Sequence, residues 1–509
     1  MAAFDVVGDV YLNVTTLLVA IGTLALYALY RSTKRPAGFP PGPTALPLVG
    51  NISLFLTKKA PQKVFQDLSK KYGSVYSLTL INENAIVLSS IDIVKEALLT
   101  KGVEFAGRPW IYSSDLFTEG FKNIASPNYG PQWRYQRKLG HTAVRHFAQK
   151  EQLEKLVFDT IPQISKYLDD LGDKPFAPKW IMGQIVFTVI ANLCFGKQYQ
   201  FNEPELMKWI DAYTNVIQCL IDGLPADYIP LFRYIPTPKE TKFKKFLKIF
   251  HDKFYHEFNK HRHSFDPECI NDFLDSLLRT QKENIEAGEE GADRLTDTHL
   301  VQTVVDTVVA ATETTTVSLH WAVALMAEHP SIQEKIAMEI DEVVGRDRMP
   351  SLDDMGSLPF TEATILEILR YGSVIPFGVP HRVMADTTLG GYNIPKGTTV
   401  LINLFALHYD RSQWVEPEIF QPKRFLDSNG RLASQLPNSF LPFSCGRRVC
   451  LGKDFAQKEI FLLFTWLLSR YTIYKVPGKE GESLLTVKES AAFAHQPYDE
   501  IEVCVKRRF

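Results

Sequence analysis

The stretch Phe443-Ser444-Cys445-Gly446-Arg447-Arg448-Val449-Cys450-Leu451-Gly452 decides the fold. Its glycines and arginine pair form a flexible loop that presents one thiol, Cys450, and an apolar helix is expected to follow from about Asp454 to Leu468. A thiol at a helix N-terminus beside Arg447, Arg448 and Lys453 should have its thiolate favoured by positive charge and by the helix dipole. Thiolates are nucleophiles or soft metal ligands, so chemistry is expected at this loop. Taken alone, the same residues also fit a buried structural cysteine beside an unrelated basic pair.

Phe443, Gly446, Arg448, Cys450 and Gly452 fill every fixed position of Phe-x-x-Gly-x-Arg-x-Cys-x-Gly. In this the loop resembles the haem-binding loop of the cytochrome P-450 family. The resemblance implies that Cys450 is the proximal iron ligand of a haem b, where a thiolate pushes electron density to the metal and favours O–O cleavage. It also implies a mainly α (α+β) cytochrome P-450 fold, with a long central helix over the haem, small β-sheets and a preceding N-terminal transmembrane anchor helix.

The chain has 509 residues, 45% of them hydrophobic, with 56 Lys+Arg against 58 Asp+Glu and a net charge of −2. That supports a large core and argues against bulk electrostatic binding of nucleic acid. No repeat or linker-like stretch follows the N-terminal region, so the expected division is an anchor at 1–35, a proline-rich hinge at 36–50 and one catalytic domain at 51–509. The six cysteines (Cys194, Cys219, Cys269, Cys445, Cys450 and Cys504) form no CxxC pair or zinc spacing. Free thiols in a reducing compartment are the simplest account.

From Val10 to Tyr30 the chain is largely apolar and uncharged over roughly 20 residues, enough to span a bilayer as a helix, with Asn13 and the threonines weakening it slightly. Asp5 and Asp9 precede it and Arg31, Lys34 and Arg35 follow, so the positive-inside rule places the main domain in the cytosol. The basic leader of a cleaved signal peptide is missing; a buried core helix is the alternative. Pro36-Ala37-Gly38-Phe39-Pro40-Pro41-Gly42-Pro43 reads as a semi-rigid connector and resembles the hinge of microsomal P-450 enzymes. The expected location is the endoplasmic reticulum membrane, single-pass, with the catalytic domain cytosolic.

Helical patterns dominate between Gln152 and Leu278 and from Leu300 to Arg370, with strands expected at Ser74–Leu80, Ala85–Ser89, Thr387–Leu389 and Thr398–Ile402. Glu283–Asp293 is polar and reads as an exposed loop. Asp297–His329, capped at Thr296 or Asp297 and stopped by Pro330, reads as one helix; roughly 30 residues would reach about 45 Å. In its middle lies Ala310-Ala311-Thr312-Glu313-Thr314-Thr315-Thr316. Threonine hydroxyls can bond the i−4 carbonyl and distort a helix, which here would leave a shallow groove. The segment resembles the family's Ala/Gly-Gly-x-Asp/Glu-Thr-Thr motif, which implies Glu313 and Thr314 as the acid–alcohol pair that delivers protons during oxygen activation. Ala311 stands where the family usually has glycine, and its methyl narrows the groove.

Glu367-Ile368-Leu369-Arg370 places opposite charges one turn apart. Pro422-Lys423-Arg424-Phe425 resembles the family's Pro-Glu-Arg-Phe motif with Lys423 replacing Glu. The resemblance makes Glu367, Arg370 and Arg424 a structural network under the cysteine loop. It makes Arg108, Trp133, Arg137, His381 and Arg448 partners of the haem propionates, which require cations or hydrogen bonds when buried. Arg134, Lys138, Arg145, Arg447, Lys453 and Lys458 are expected on a basic face that docks an acidic electron donor. Ala310, Val374, Ile375, Val379, Ala491 and Ala492 are expected to line an apolar pocket.

The resemblance spans the chain and is nearest to the steroid- and xenobiotic-metabolising microsomal group. Glu313-Thr314-Thr315-Thr316, Leu404-Phe405-Ala406-Leu407-His408 and the stretch after Cys450 look most like steroid 17α-hydroxylase/17,20-lyase, whereas part of Thr361–Lys396 looks equally like the aryl-hydrocarbon-oxidising subfamily. It implies a monooxygenase that uses haem b, dioxygen and NADPH–cytochrome P-450 reductase, with cytochrome b5 as a further candidate donor, on a lipophilic substrate. A steroid is the first choice, and a xenobiotic, aromatic or fatty acid the alternative. Other classes are a P-450-type isomerase or dehydratase, a haem-binding sensor, or an interaction protein without turnover; Glu313 and Thr314 argue for oxygen activation.

Overall fold

The computed structural model describes residues 15–23, 27, 33–47, 49–55, 59–80, 83–289, 291–487, 495–498 and 500–509. Eight helices position the site: α1 (Pro131–Phe147), α2 (Pro178–Phe195), α3 (Pro204–Asp222), α4 (Pro238–Ser264), α5 (Phe273–Glu286), α6 (Asp297–Glu328), α7 (Pro359–Gly372) and α8 (Lys453–Arg470). Five of them open on proline, whose missing N–H and preset φ suit the first helical position. The segment expected at Asp297–His329 is the single helix α6, and Nδ1 of His299 accepts from the Thr296 N–H at 3.1 Å to close its start.

α2 is buried on nearly every side and packs along α6. Among the described residues it is the one helix long and apolar enough to cross a membrane, but 78% of that window is buried inside the protein, which makes it a core helix. Of the span expected over Val10–Tyr30, residues 15–23 and Tyr27 are helical and expose Leu17, Leu18, Val19 and Ile21; the remainder lies outside the described residues.

The strands are β1 (Val75–Leu80), β2 (Glu83–Leu88), β3 (His381–Arg382), β4 (Thr387–Leu389), β5 (Tyr392–Ile394), β6 (Thr399–Ile402), β7 (Tyr471–Lys475) and β8 (Val503–Arg507). One sheet runs β1-β2-β6-β3, with β2 and β6 parallel and the other pairs antiparallel. β4–β5 and β7–β8 form two smaller sheets. The four expected strands fall within two residues of β1, β2, β4 and β6; β3, β5, β7 and β8 are additional.

One expectation changes. Glu283–Asp293 is not wholly loop, because α5 continues to Glu286, held by an Arg279–Glu283 pair at 2.8 Å; polarity there marks a solvated helix face. The proline-rich segment lies against β1. Ser77 N–H donates to the Pro41 carbonyl and Ser77 Oγ to the Pro40 carbonyl, both at 2.7 Å, and Phe39 is buried.

Candidate active site

The thiol loop turns back on itself through the Cys450 N–H, which donates to the Phe443 carbonyl at 3.0 Å. Gly446, at φ +76°, allows the turn; a Cβ there would lie 2.2 Å from the Leu98 carbonyl oxygen. Cys450 is solvent-accessible although it sits deep in the fold. Burial pushes its thiol up, against the Gly452 amide, Arg137 and Lys453, which pull it down. This corrects the expected thiolate field. Arg447 donates instead to Tyr129 Oη at 3.1 Å, and Arg448 turns to backbone carbonyls, so neither contributes. An accessible thiol at a site that disfavours a free thiolate suits a metal ion, which itself drives deprotonation.

α6 is buried along most of its length, yet Ala310 at its centre is exposed and Asp306, Glu313 and Thr314 are half-exposed. These positions recur at helical spacing, so one stripe of a buried helix opens inward. Thr314 Oγ1 donates to the Ala310 carbonyl at 2.7 Å, the i−4 bond anticipated for this stretch. Glu313 lies against α3, where it adds to burial in raising the phenol of Tyr213.

Arg108, Arg137 and Arg448 form a group with His381 and Trp133. Arg108 donates Nε to Ala125 O at 3.0 Å and Nη1 to Val379 O and Pro380 O at 2.8 Å. Arg448 donates to Ala106 O at 2.8 and 3.0 Å and stacks 4.0 Å over Trp133, while Arg137 bonds the Val449 carbonyl. Trp133 Nε1 donates to Ile124 O at 2.8 Å. Every side-chain partner of these arginines is a neutral carbonyl, and among the described residues none has a carboxylate within ion-pair distance. The electrostatics show the strain. Burial and Arg137 bring Arg108 down to about 9, and burial with Arg108 and Arg137 brings Arg448 to about 8. His381 falls to about 3 through burial, Arg108 and Arg448. Such a cluster calls for anionic groups from outside the chain, and the two carboxylates of haem fit that demand.

Glu367 and Arg370 are fully buried and meet by two bonds at 2.7 and 2.8 Å. Arg424 reaches Glu367 at 3.1 Å, and the Gln421 amide donates to it at 2.8 Å. Arg370 continues to the His408 carbonyl at 2.7 Å, and His408 Nε2 accepts from the Leu441 amide at 3.2 Å, two residues before Phe443. The network therefore reaches the thiol loop.

Val374 and Ile375 are half-buried and Val379 is exposed, while Ala491 and Ala492 lie outside the described residues. Arg134, Lys138 and Arg447 line a cleft of about 400 Å³ that also holds Cys450. Lys138 pairs with Glu289 at 2.5 Å, and Lys458 with Asp454 at 2.9 Å. Sequence reasoning missed Asp306, Tyr213 and Glu459. Asp306 and Glu459 are acids within largely buried helices, and that is the signal that could have found them; Tyr213 lies on the amphipathic α3, where no such signal marks it.

The sequence matches the Cytochrome P450 family over residues 40–499. It is 35% identical over 481 residues to the steroid 17-alpha-hydroxylase/17,20 lyase of Gallus gallus, covering 92% of this chain and 94% of that protein. It is 34% identical over 512 residues to cytochrome P450 2U1 of Bos taurus, with 95% and 92% covered. It is 33% identical over 514 residues to cytochrome P450 1A5 of Gallus gallus, with 98% and 96% covered. With its mainly helical fold, small sheets and accessible thiol facing unpaired arginines, the chain belongs to the cytochrome P450 family, whose cofactor is haem.

Proposed function

We propose that this P450 monooxygenase is a membrane-anchored steroid hydroxylase of the 17α-hydroxylase/17,20-lyase type, reduced by NADPH–cytochrome P-450 reductase. The observation that carries the haem-site reading is the accessible Cys450 thiol together with an arginine cluster that has no carboxylate of its own. Cys450 is the iron ligand, and Arg108, Trp133, Arg137, His381 and Arg448 hold the propionates. Bound haem supplies the redox centre at which dioxygen is split, one atom entering the substrate and the other leaving as water at a cost of two electrons and two protons.

Around it the chain's own groups bind, orient and move protons. Glu313 and Thr314 deliver protons from the open stripe of α6, with Thr314 Oγ1 aligned by its bond to Ala310. Ala310, Val374, Ile375 and Val379 present apolar surface to the substrate, joined by Ala491 and Ala492. Glu367, Arg370 and Arg424 brace the thiol loop. Arg134, Lys138 and Arg447, beside Cys450, receive the electron donor. Membrane attachment, with anchor 1–35, hinge 36–50 and catalytic domain 51–509, draws support from the apolar 15–23 helix. Exposed Tyr228, Ile229, Leu231, Tyr234 and Ile235 in the α3–α4 connection add to it.

Steroid identity rests on the relatives, and the resemblance of part of Thr361–Lys396 to the aryl-hydrocarbon-oxidising subfamily keeps a planar aromatic substrate as the second reading. Two measurements test the proposal. Cys450→Ser should abolish the thiolate-type spectrum of the reduced carbon monoxide complex; its survival would overturn the ligand assignment. Progesterone or pregnenolone should give a high-spin shift and a hydroxylated product with added reductase. No shift at saturating steroid, with turnover of planar aromatics instead, would move the assignment to the second reading.

A further inference from the structure

Asp306 lies on α6 one turn before Ala310, at the start of the inward-facing stripe. Its Oδ1 accepts from Asn123 Nδ2 at 2.8 Å, and its Oδ2 from the Ile124 and Ala125 amides at 2.7 and 2.8 Å. All three donors belong to the segment 118–128, a strap that precedes α1. The other end of the strap is fixed separately: Gln302 Nε2 and Tyr255 Oη both donate to Glu119 Oε2 at 2.7 Å.

The carbonyls at the Asp306 end face the arginine cluster. Ile124 O accepts from Trp133 Nε1 at 2.8 Å and Arg448 Nη1 at 3.3 Å, and Ala125 O accepts from Arg108 Nε at 3.0 Å. The Ile124 carbonyl and the Ala125 amide are two ends of one peptide unit. That unit therefore carries a carboxylate on its N–H and an indole and a guanidinium on its C=O. A bond to an anion at one end polarises the peptide and strengthens acceptance at the other. Asp306 thus sets negative charge behind the cluster without occupying the side on which an external anion would bind.

We propose that Asp306 is a positioning residue for the cofactor, acting through the Ile124–Ala125 peptide to fix Trp133 and Arg448 for the haem carboxylates. The inference rests on reading those two residues as propionate partners. It links the oxygen-side helix to the grip on haem by a route that touches neither iron nor substrate.

The test compares three variants of the full-length holoenzyme by haem transfer to apomyoglobin and by midpoint potential. Asp306→Asn should release haem about tenfold faster and shift the potential, because the three bonds from the strap lose their charge assistance. Asn123→Ala, which leaves α6 intact, should act in the same direction with a smaller effect. Gln302→Ala loosens the strap at its other end and should leave both readouts at the parental values. Parental haem loss and potential in Asp306→Asn would overturn the proposal, as would equal effects in Gln302→Ala, which would mark general loosening. If Asp306→Asn does not fold, Asn123→Ala decides between the same two results. A parent protein whose bound haem gives the thiolate-type carbon monoxide spectrum separates failure of this proposal from failure of the haem-site reading.

Discussion

Among the described residues arginine is buried at Arg370 and at Arg448, in two places with opposite electrostatics. Arg370 is fully enclosed, and Glu367 meets it with two bonds while Arg424 shares the same carboxylate. Arg108, Arg137 and Arg448 bond only backbone carbonyls and disfavour one another's charge. Burying a guanidinium is costly in both cases. In the first the chain carries its own counter-charge, and the result is architecture. In the second the chain concentrates positive charge that its own acids do not neutralise, which is what the proposed propionate site requires.

The sharpest way to break this comparison is to remove the shared carboxylate. Glu367→Ala leaves Arg370 buried and unpaired, so urea unfolding should show a loss of about 4 kcal/mol. A loss below about 1 kcal/mol would mean the pair is not the brace it looks like. Removing one member of the other cluster should act differently. Arg448→Gln relieves repulsion while it weakens anion binding, so the larger effect should fall on the cofactor. Haem affinity should drop by about 2.5 kcal/mol, or roughly sixtyfold, with a smaller change in the unfolding midpoint. The reverse ranking would make Arg448 architectural.

The features legible in the sequence were those whose partners lie within a few residues. The thiol loop, the Glu367–Arg370 turn and the threonine-rich centre of α6 are local patterns, and the structure places them as local geometry allows. The direction of side chains within a loop is not local. Arg447 and Arg448 adjoin Cys450 in sequence, yet tertiary contacts draw them to Tyr129 and Ala106, and Arg137 of α1 takes the place beside the thiol. β7 pairs with β8 across a long separation, so no hairpin signal marked it. Asp306 gains its meaning from backbone amides of a segment far away in sequence, for which a single polar letter in an apolar helix is a faint sign.

A third fate for a buried charge is to disappear. Glu459 of α8 is fully buried, with Thr315 Oγ1 at 3.5 Å as its one hydrogen-bond donor among the described residues, and burial raises its carboxyl to about 8. Its folded pKa lies above the unfolded value near 4.5, so its contribution to stability is full below that value and is lost as pH rises through 8. Glu459→Gln, a neutral isostere, should therefore gain about 2 kcal/mol at pH 7.5 and little at pH 4.5. Equal gain at both values would remove titration as the cause and leave packing.

The smallest effect belongs to a charge that is paired but near the surface. His261, near the end of α4, bonds Asp272, the cap of α5, at 2.7 Å. Burial alone would lower its pKa, but Asp272 outweighs that and lifts it to about 9. The stabilisation is therefore fully present below the unfolded value near 6.5 and is lost as pH rises through 9. Partial solvent access reduces the effect to about 1 kcal/mol. His261→Gln should flatten the fall in stability between those two pH values, read by urea titrations at each. Because this pair holds its own counter-charge and lies away from the thiol loop, its loss should leave haem transfer unchanged, unlike the Arg108, Arg137 and Arg448 cluster. Faster haem release in His261→Gln would show that a satisfied charge far from the site also governs the cofactor, and the division between paired and unpaired arginines would lose its predictive value.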